Sequence, residues 1–396
     1  MPDRFCGTGP AFVAGAGKDP HRRQNGVIVR LTDLEHATVR VHPRNAQPVV
    51  SVCETPGCDP HDPDPIMNIP PETYMRVPAD ALRDLAERLG RAAGLPPARA
   101  GLLADLLSAN DLRGVVSHGT GQLATYVRLL RDGTLNPDPR LEVVRETPTS
   151  LLVDGDGGLG YFPAHEGTQL LITKAEAAGI AVLVTRNHGH FGAAGLYSRL
   201  TLDHDLLSFV TSGHQLDLHP GDPVYAAAGG SPMSFSAPTA DEPPLVLDFG
   251  AMHDLYEESS RDLLAEIAPG LVHRSIGLGM VCQSWGGLLA GVPLDPAQAR
   301  RRWTGANQGS MVIAMRIDLF AEPAQFRQEM DAYARAVRTL TPIPGARRSH
   351  LPGGPEAEAE ADYRANGIPV GHDQQQLLER AATELGVRVP WDNDPT

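Results

Sequence analysis

The chain of 396 residues has few cysteines, few aromatic residues and no long apolar run. Four cysteines in so long a chain do not make a disulfide framework, and no run approaches the roughly 20 apolar residues that cross a bilayer. Basic residues are outnumbered 34 to 48, and a net charge of -14 argues against nucleic acid as a partner. The first residues lack the apolar segment of a signal peptide. We therefore expect a cytoplasmic globular protein that binds neither nucleic acid nor membranes.

The first 72 residues differ from the rest of the chain. The stretch CETPGCDPHDPDP is turn-rich and acidic, and Cys53, Cys58 and His61 within it are conceivable zinc ligands. The gap between the two cysteines is poor for a zinc knuckle, and no second pair follows. We predict a poorly ordered or variable N-terminal extension over residues 1–72. The alternative is an over-long start, with Met67 as the true initiator.

From residue 78 onward the apolar residues become periodic. PADALRDLAERLGRAAG places Leu82, Leu85 and Leu89 on one helical face, and two more helical segments follow. Strand-like apolar runs then alternate with helical segments, and the chain closes on a helix. This order predicts an α/β (α+β) fold with a helical flank. The predicted strands cover residues 150–155, 179–187, 206–212, 244–250 and 310–318, and the helices among them cover residues 164–178 and 276–291.

His118 lies in SHGTG, between an apolar GVV segment and the start of the third predicted helix. A histidine at a helix N-terminus is accessible to ligands and has backbone N–H groups beside it. Because imidazole titrates near neutral pH, this position suits a general acid. The alternative is a capping or turn histidine that has no part in catalysis.

The stretch RNHGHFGAAGLY allows three interpretations. His188 and His190 alternate, and on a strand they point the same way, but no HExxH pair or nearby acidic cluster completes a metal shell. The stretch also fails the GxGxxG fingerprint of a Rossmann dinucleotide loop. As a glycine-rich junction between a strand and a helix, it lets a bulky anion approach the backbone at Gly189, Gly192 and Gly195. The residues alone indicate only a candidate ligand loop.

Seven stretches in a fixed order carry a resemblance to a known family. They are RGVVSHG (113–119), YVRLLRDGTLNP (126–137), VDGDGGLG (153–160), GIAVLVTRNHGHFGAAGLY (179–197), GGSPMSFSAP (229–238), LVLDFG (245–250) and LPGGPEAEAEADYRANGIPV (351–370). The chain resembles the malate/L-lactate dehydrogenase family, which also contains diketogulonate, ureidoglycolate and sulfolactate dehydrogenases and cyclic-imine reductases. That family is distinct from the Rossmann lactate dehydrogenases.

The resemblance implies a non-Rossmann NAD(P)-binding fold with a mostly antiparallel central sheet and helical N- and C-terminal parts. It also implies a homodimer that binds NAD or NADP near the subunit interface and acts on a small-molecule substrate. We accordingly divide the chain into a helical part that carries the Ser-His-Gly motif (residues 73–145), an NAD(P)-binding sheet domain (residues 146–320) and a C-terminal helical part that packs on the first (residues 321–396).

The resemblance also implies roles for individual residues. His118 matches the histidine that donates a proton to a substrate carbonyl or imine while the nicotinamide delivers hydride, and we expect Ser117 to orient it. No metal is expected. The predicted cofactor-binding residues are Asn187, Gly189, His190, Phe191, Gly192, Gly195, Asp248, Gly250, Gly353 and Gly354.

The chain departs from the family pattern on the substrate side. The family's SHGxxR carries an arginine suited to bidentate pairing with a carboxylate, and Gln122 stands there in this chain. GTNP becomes GGSP, so Ser231 replaces an asparagine, and the family's Lys-Gly pair appears as Arg274 and Ser275. Roughly half of the family's segment between Asp248 and that pair is missing. These coinciding changes predict altered specificity.

Two hypotheses of function follow. The first is an NAD(P)H-dependent reductase for a 2-oxo acid-like carbonyl or a cyclic imine, with His118 as the acid and with Gln122 and Arg274 holding the polar end of the substrate. The second is a repurposed, redox-silent enzyme, such as an isomerase, cyclase or lyase, in which the same histidine moves protons without hydride transfer.

Overall fold

The structure, a computed structural model, describes residues 39–41, 50–52 and 70–391. Strands β1 (Val39–Val41) and β2 (Val50–Val52) pair antiparallel and belong to the first of two compact units. All described residues from 70 onward belong to the second unit, which contains every candidate catalytic, substrate and cofactor residue. The three residues of the zinc hypothesis and Met67 lie outside the described residues.

The second unit begins with a short strand, which the sequence analysis did not predict, and three helices, which the periodicity predicts. They are β3 (Tyr74–Val77), α1 (Ala79–Ala92), α2 (Pro97–Leu112) and α3 (Leu123–Arg131). Leu82, Leu85 and Leu89 are fully buried along one face of α1, which packs against α2. Pro97 occupies the first position of α2, where its missing N–H costs no hydrogen bond.

A seven-stranded sheet forms the centre of this unit. Its strands are β4 (Glu142–Thr147), β5 (Ser150–Asp154), β6 (Ile180–His188), β7 (Leu206–His214), β8 (Pro232–Ala237), β9 (Leu245–Gly250) and β10 (Gln308–Arg316). The spatial order is β4–β5–β6–β10–β7–β8–β9, and every neighbouring pair is antiparallel except β5 and β6. Helix α4 (Tyr161–Ala178) makes the crossover that this parallel pair requires. The prediction of a mostly antiparallel sheet is confirmed.

The core lies where α4 covers the middle of the sheet. Val312 of β10 lies opposite Leu183 of β6 and Val210 of β7, and all three side chains are fully buried. Helix α4 approaches the sheet so closely that a Cβ on Gly167 would lie 2.8 Å from the Leu183 side chain. This packing fixes the end of β6, where the glycine-rich stretch begins.

Three further helices lie between β6 and β10. They are α5 (Gly195–Arg199), α6 (Glu258–Ile267) and α7 (Pro269–Cys282). Helix α7 continues into a π-helical turn, Gln283–Leu288, which packs on β7. A Cβ on Gly286 in this turn would lie 2.4 Å from the carbonyl carbon of Ser212, so the two backbones are in direct contact. None of the described helices is long and apolar enough to cross a membrane.

The C-terminal part returns to the N-terminal helices. It contains α8 (Pro323–Arg338), α9 (Gly354–Asn366), β11 (Ile368–Gly371) and α10 (His372–Leu385). Strand β11 pairs antiparallel with β3, with Ile368 opposite Val77. Helix α10 packs against α3 and α1. The first and last elements of the second unit therefore lie side by side, beneath the turn that carries His118.

Candidate active site

The Ser-His-Gly motif forms two successive 3-10 turns, Val116–His118 and Thr120–Gln122, between α2 and α3. Ser117 is exposed, and its Oγ lies 3.0 Å from Nδ1 of His118. The other ring nitrogen, Nε2, has no hydrogen-bond partner among the described residues. Ser117 therefore fixes one edge of the imidazole and leaves the other edge available for proton exchange with a ligand.

The glycine-rich stretch brings His190 to the same place. The His118 and His190 rings lie 5.4 Å apart between centroids. Nδ1 of His190 lies 2.7 Å from the hydroxyl of Tyr126, which in turn lies 3.1 Å from the hydroxyl of Tyr161. The two histidine motifs, separated by about 70 positions in the sequence, thus meet over a pair of buried tyrosines.

His188 points elsewhere, which corrects the expectation that it lies on the same side as His190. It ends β6 and is fully buried, with Nδ1 donating to the carbonyl of Gly189 and Nε2 accepting from the hydroxyl of Thr185, each at 2.7 Å. Burial lowers the pKa of His188 to about 4, so the ring is neutral. Both nitrogens are engaged, and the described residues contain no group of three potential metal ligands.

The electrostatics of the site favour neutral imidazoles. Burial lowers the pKa of His118, and the nearby His253 lowers it further. Burial also lowers the pKa of His190 to about 4, with smaller contributions from His118 and His188. A ligand that brings negative charge to this site favours the protonated form of His118, because it opposes these effects.

His253 is a site residue that the sequence analysis missed. It lies in the 3-10 turn His253–Leu255, which follows β9. Its side chain is exposed, and its ring lies edge-on to Tyr256 with 6.3 Å between centroids. No motif in the sequence marks this histidine, which belongs to the site through its effect on the pKa of His118.

Asp248 and Gly195, both predicted to contact the cofactor, contact one another. Oδ2 of Asp248 accepts from the backbone N–H of Gly195 at 2.9 Å, and a Cβ on Gly195 would lie 2.5 Å from that oxygen. Burial raises the pKa of Asp248 to about 6, although the Gly195 N–H and Arg199 oppose it. This carboxylate therefore anchors the glycine-rich stretch to β9.

Most of the other predicted cofactor glycines are also explained by close protein contacts. A Cβ would meet Leu135 at Gly189, Tyr161 at Gly192, the carbonyl oxygen of Pro244 at Gly353 and His350 at Gly354, in each case at 2.5–2.9 Å. Gly192 also has a φ of +82°, which other residues rarely adopt. At Gly250 alone among the predicted glycines, an added Cβ would have no contact shorter than 3.7 Å. Their roles toward a cofactor stay predictions.

Two more predicted cofactor residues use their side chains within the protein. Phe191 is fully buried and stacks on Tyr197 with 5.3 Å between ring centroids. Asn187 has a φ of +53°, and its Nδ2 donates to Oδ1 of Asp154 at 2.8 Å. Both side chains hold the stretch in shape, and their roles toward a cofactor stay predictions.

The structure shows no contact between the predicted substrate residues Gln122 and Arg274 among the hydrogen bonds and ion pairs of the described residues. Nε2 of Gln122 donates to the carbonyl of Ser117 at 2.7 Å, so the amide turns back onto its own segment. Arg274 is exposed on α7, and no hydrogen bond or ion pair links it to either residue within the described part of the chain. Ser231 is buried and donates to the carbonyl of Ala228 at 2.8 Å.

The sequence matches the malate/L-lactate dehydrogenase family over residues 77–252 and 257–379, and the chain belongs to that family.

Individual relatives agree with this assignment. Malate dehydrogenase of Pyrococcus horikoshii is 25% identical over 352 residues, which cover 80% of this chain and 97% of that protein. Its solved structure superposes with a TM-score of 0.70 over 81% of this chain and 98% of that one. L-sulfolactate dehydrogenase of Methanocaldococcus jannaschii is 25% identical over 82% of this chain and 98% of that protein. Ureidoglycolate dehydrogenase (NAD(+)) of Escherichia coli is 23% identical over 77% of this chain and 95% of that protein.

Proposed function

We propose that the protein is an NAD(P)H-dependent reductase that acts on a 2-oxo acid-like carbonyl or a cyclic imine, with His118 as the proton donor. The observation that carries the proposal is the 5.4 Å approach of the His118 and His190 rings, which joins the candidate acid to the candidate cofactor segment. The relatives support the reaction class, since all three are named as dehydrogenases of hydroxy acids or their derivatives.

The chain's own residues supply the proton side of this reaction. Bound NAD(P)H supplies a hydride to the substrate carbon. His118 donates a proton from Nε2 to the carbonyl oxygen or imine nitrogen, so the product is a hydroxy acid or an amine. Ser117, at Nδ1, keeps the ring in one orientation through the transfer. Tyr126 holds His190 in place beside it.

The residues around Asp248 fit a ligand rich in hydroxyl groups. Oε2 of Glu356, in the first turn of α9, is buried and has no hydrogen-bond partner among the described residues. The charge of Glu356 acts on Asp248, and the same turn begins with the predicted cofactor residues Gly353 and Gly354. A ribose hydroxyl provides the donor that this oxygen lacks. We propose that Glu356 and Asp248 hold that part of NAD or NADP.

The residues predicted to bind the substrate carry less positive charge than those of the family pattern. Gln122 hydrogen-bonds a carboxylate without neutralising it, and its amide N–H already contacts Ser117. His253 is a second basic side chain, and it acts electrostatically on His118. We therefore propose that the reducible carbonyl or imine of the substrate lies next to a carboxylate or an amide, and that the substrate is not a simple 2-oxo acid.

The redox-silent alternative rests on the arrangement of the predicted substrate residues and of His118. Gln122 donates to the carbonyl of Ser117, and among the described residues no hydrogen bond or ion pair joins it to Arg274, whereas Nε2 of His118 has no partner there. An isomerase, cyclase or lyase needs only that proton transfer. The second candidate therefore differs from the first in cofactor binding, which can be measured directly.

Titration with NADH and with NADPH separates the two candidates. We expect micromolar binding of one of them by calorimetry or nicotinamide fluorescence, and a weaker affinity in His190→Ala, because that variant removes the side chain between the candidate cofactor segment and His118. His204→Ala is the matched control, since His204 is exposed and pairs with Glu176 on the surface. Binding of neither nucleotide by the wild type rules out the reductase and leaves proton-transfer chemistry.

We further propose that two copies of the chain associate through an α6–α7 apolar surface, defined by Leu263, Ile267, Leu271 and Leu278. Each of these side chains is between 42% and 68% exposed. Monomeric proteins rarely expose a large contiguous apolar patch, whereas an interface between identical subunits covers one.

Light scattering after size exclusion tests this surface. We expect a dimer for the wild type and a monomer for Ile267→Glu combined with Leu271→Glu, because a buried charge opposes the contact. Phe320→Glu is the control, since Phe320 is 77% exposed but lies outside the surface. A wild-type monomer, or a double variant that stays dimeric, contradicts the proposal.

A further inference from the structure

The turn that carries His118 is held from beneath by the last residues of α2. Nδ2 of Asn110 donates to the carbonyl of His118 at 2.9 Å. Oδ2 of Asp111 accepts from the backbone N–H of Thr120 at 2.9 Å, and the Asp111 side chain is fully buried. Two adjacent side chains of one helix thus bond to the backbone on both sides of Gly119.

Helix α10 completes this support from the other end of the chain. Nε2 of Gln374 donates to Oδ1 of Asp111 at 3.2 Å and to Oγ1 of Thr120 at 3.0 Å. Gln374 is itself buried. Both oxygens of the Asp111 carboxylate therefore accept a hydrogen bond. Oδ2 accepts from Thr120 of the turn, and Oδ1 accepts from Gln374, which also bonds to Thr120.

The carboxylate lies directly against the backbone of the motif. A Cβ on Gly119 would lie 1.8 Å from Oδ1 of Asp111. No other residue type at 119 leaves the carboxylate where it is, which gives the glycine of Ser-His-Gly a physical reason. A movement of the Asp111 side chain therefore also moves Gly119, the residue that follows His118.

We propose that Asp111 is the positioning residue for His118, which it orients through its contacts to Gly119 and Thr120 while Gln374 holds it in place. The inference rests on the proposed function in one respect, the assignment of His118 as the proton donor. Asp111 touches neither that ring nor a ligand, so its contribution is the geometry of the turn. Displacing a reacting group by about 1 Å lowers a rate by about 10²-fold.

The charge state of Asp111 provides a second, pH-dependent test of the proposal. Burial raises its pKa to about 6, against the opposing hydrogen bonds from Thr120 and Gln374. Among the titratable groups on elements packed around it, Tyr161 of α4 is the one whose pKa responds to Asp111. Below pH about 6 the carboxyl gains a proton and becomes a weaker acceptor for the Thr120 N–H. The turn and the His118 ring should change at that pH.

NMR of histidine-labelled protein tests the proposal without a known substrate. The His118 ring signals are assigned by their loss in His118→Asn, and are then followed from pH 5 to 8 in the wild type, Asp111→Asn and Asp111→Leu. Asp331→Asn is the control, because Asp331 is another carboxylate with little exposed surface, and it accepts from the backbone N–H groups of Ala240, Asp241 and Glu242.

We expect the wild-type His118 signals to show a second step near pH 6 that Asp111→Asn lacks. In Asp111→Leu the signals should shift, and the pKa of His118 should rise toward its ordinary value as the ring leaves its buried position. With any carbonyl or imine that the wild type reduces, kcat in Asp111→Leu should fall about 10²-fold, with NADH affinity kept. Asp331→Asn should leave all of these unchanged.

Unchanged His118 signals and titration in a folded Asp111→Leu overturn the inference. Where that variant does not fold, Gly119→Ala takes its place, because its Cβ displaces the same carboxylate. The proposed function fails separately: if His118→Asn keeps the full reduction rate, the histidine is not the acid, whatever the NMR of the Asp111 variants shows.

Discussion

His118→Asn should lower the rate of carbonyl or imine reduction by about 10²–10⁴-fold, the range for loss of a positioned general acid. The asparagine side chain fills part of the space of the imidazole ring, but it has no acidic proton at the position of Nε2. Affinity for NADH or NADPH should stay, since the proposed cofactor segment centres on His190 and Asp248. Steady-state kinetics with nicotinamide absorbance at 340 nm measure both quantities.

His204→Asn is the control for this experiment, because His204 pairs with Glu176 on the surface. The wild-type reduction rate should also fall as pH rises. Only the protonated imidazole donates, and burial together with His253 keeps the pKa of His118 below its ordinary value, so the donor form is lost as pH climbs through that lowered value. Reduction that keeps its rate in His118→Asn removes the mechanism.

Gly286→Ala should destabilise the fold by about 3 kcal/mol or more, at the upper end of the cost of overpacking. The added Cβ meets the carbonyl carbon of Ser212 at 2.4 Å and the N of Gly213 at 2.6 Å, and backbone atoms within a sheet cannot move aside. The π-helical turn must lift from β7. Chemical unfolding followed by circular dichroism measures the change.

Gly277→Ala in the preceding helix is the matched variant, since an added Cβ there meets nothing within 4 Å. It should stabilise by about 0.5–1 kcal/mol, because alanine loses less backbone entropy than glycine in a helix. Equal effects of the two substitutions contradict the contact between the turn and the strand.

The local parts of the site could be predicted from the sequence. Ser117 and His118 are adjacent, and a glycine-rich stretch after an apolar strand can be recognised directly in the sequence. The family resemblance then supplied the mostly antiparallel sheet, which apolar runs alone do not specify because strand direction depends on distant pairing.

The contacts that complete the site could not be predicted, because they join distant residues. Tyr126 fits the apolar face of α3, and nothing in that pattern shows that its hydroxyl meets His190. The contact between Asp111 and Gln374 spans 263 positions. The helical segment predicted over residues 276–291 begins earlier in the structure, at Pro269, and α7 changes to a π-helical turn at Gln283, where backbone contact with β7 overrides local preference.

The pairing of β3 with β11 affects how the protein is made. The first strand of the second unit has no partner until residues 368–371 have been synthesised, and Gln374 follows just behind them. At ordinary rates of translation the nascent chain waits roughly 15 to 60 s for them. The contact of Gln374 with Asp111, which we propose to position His118, therefore forms only after residue 374 has been synthesised.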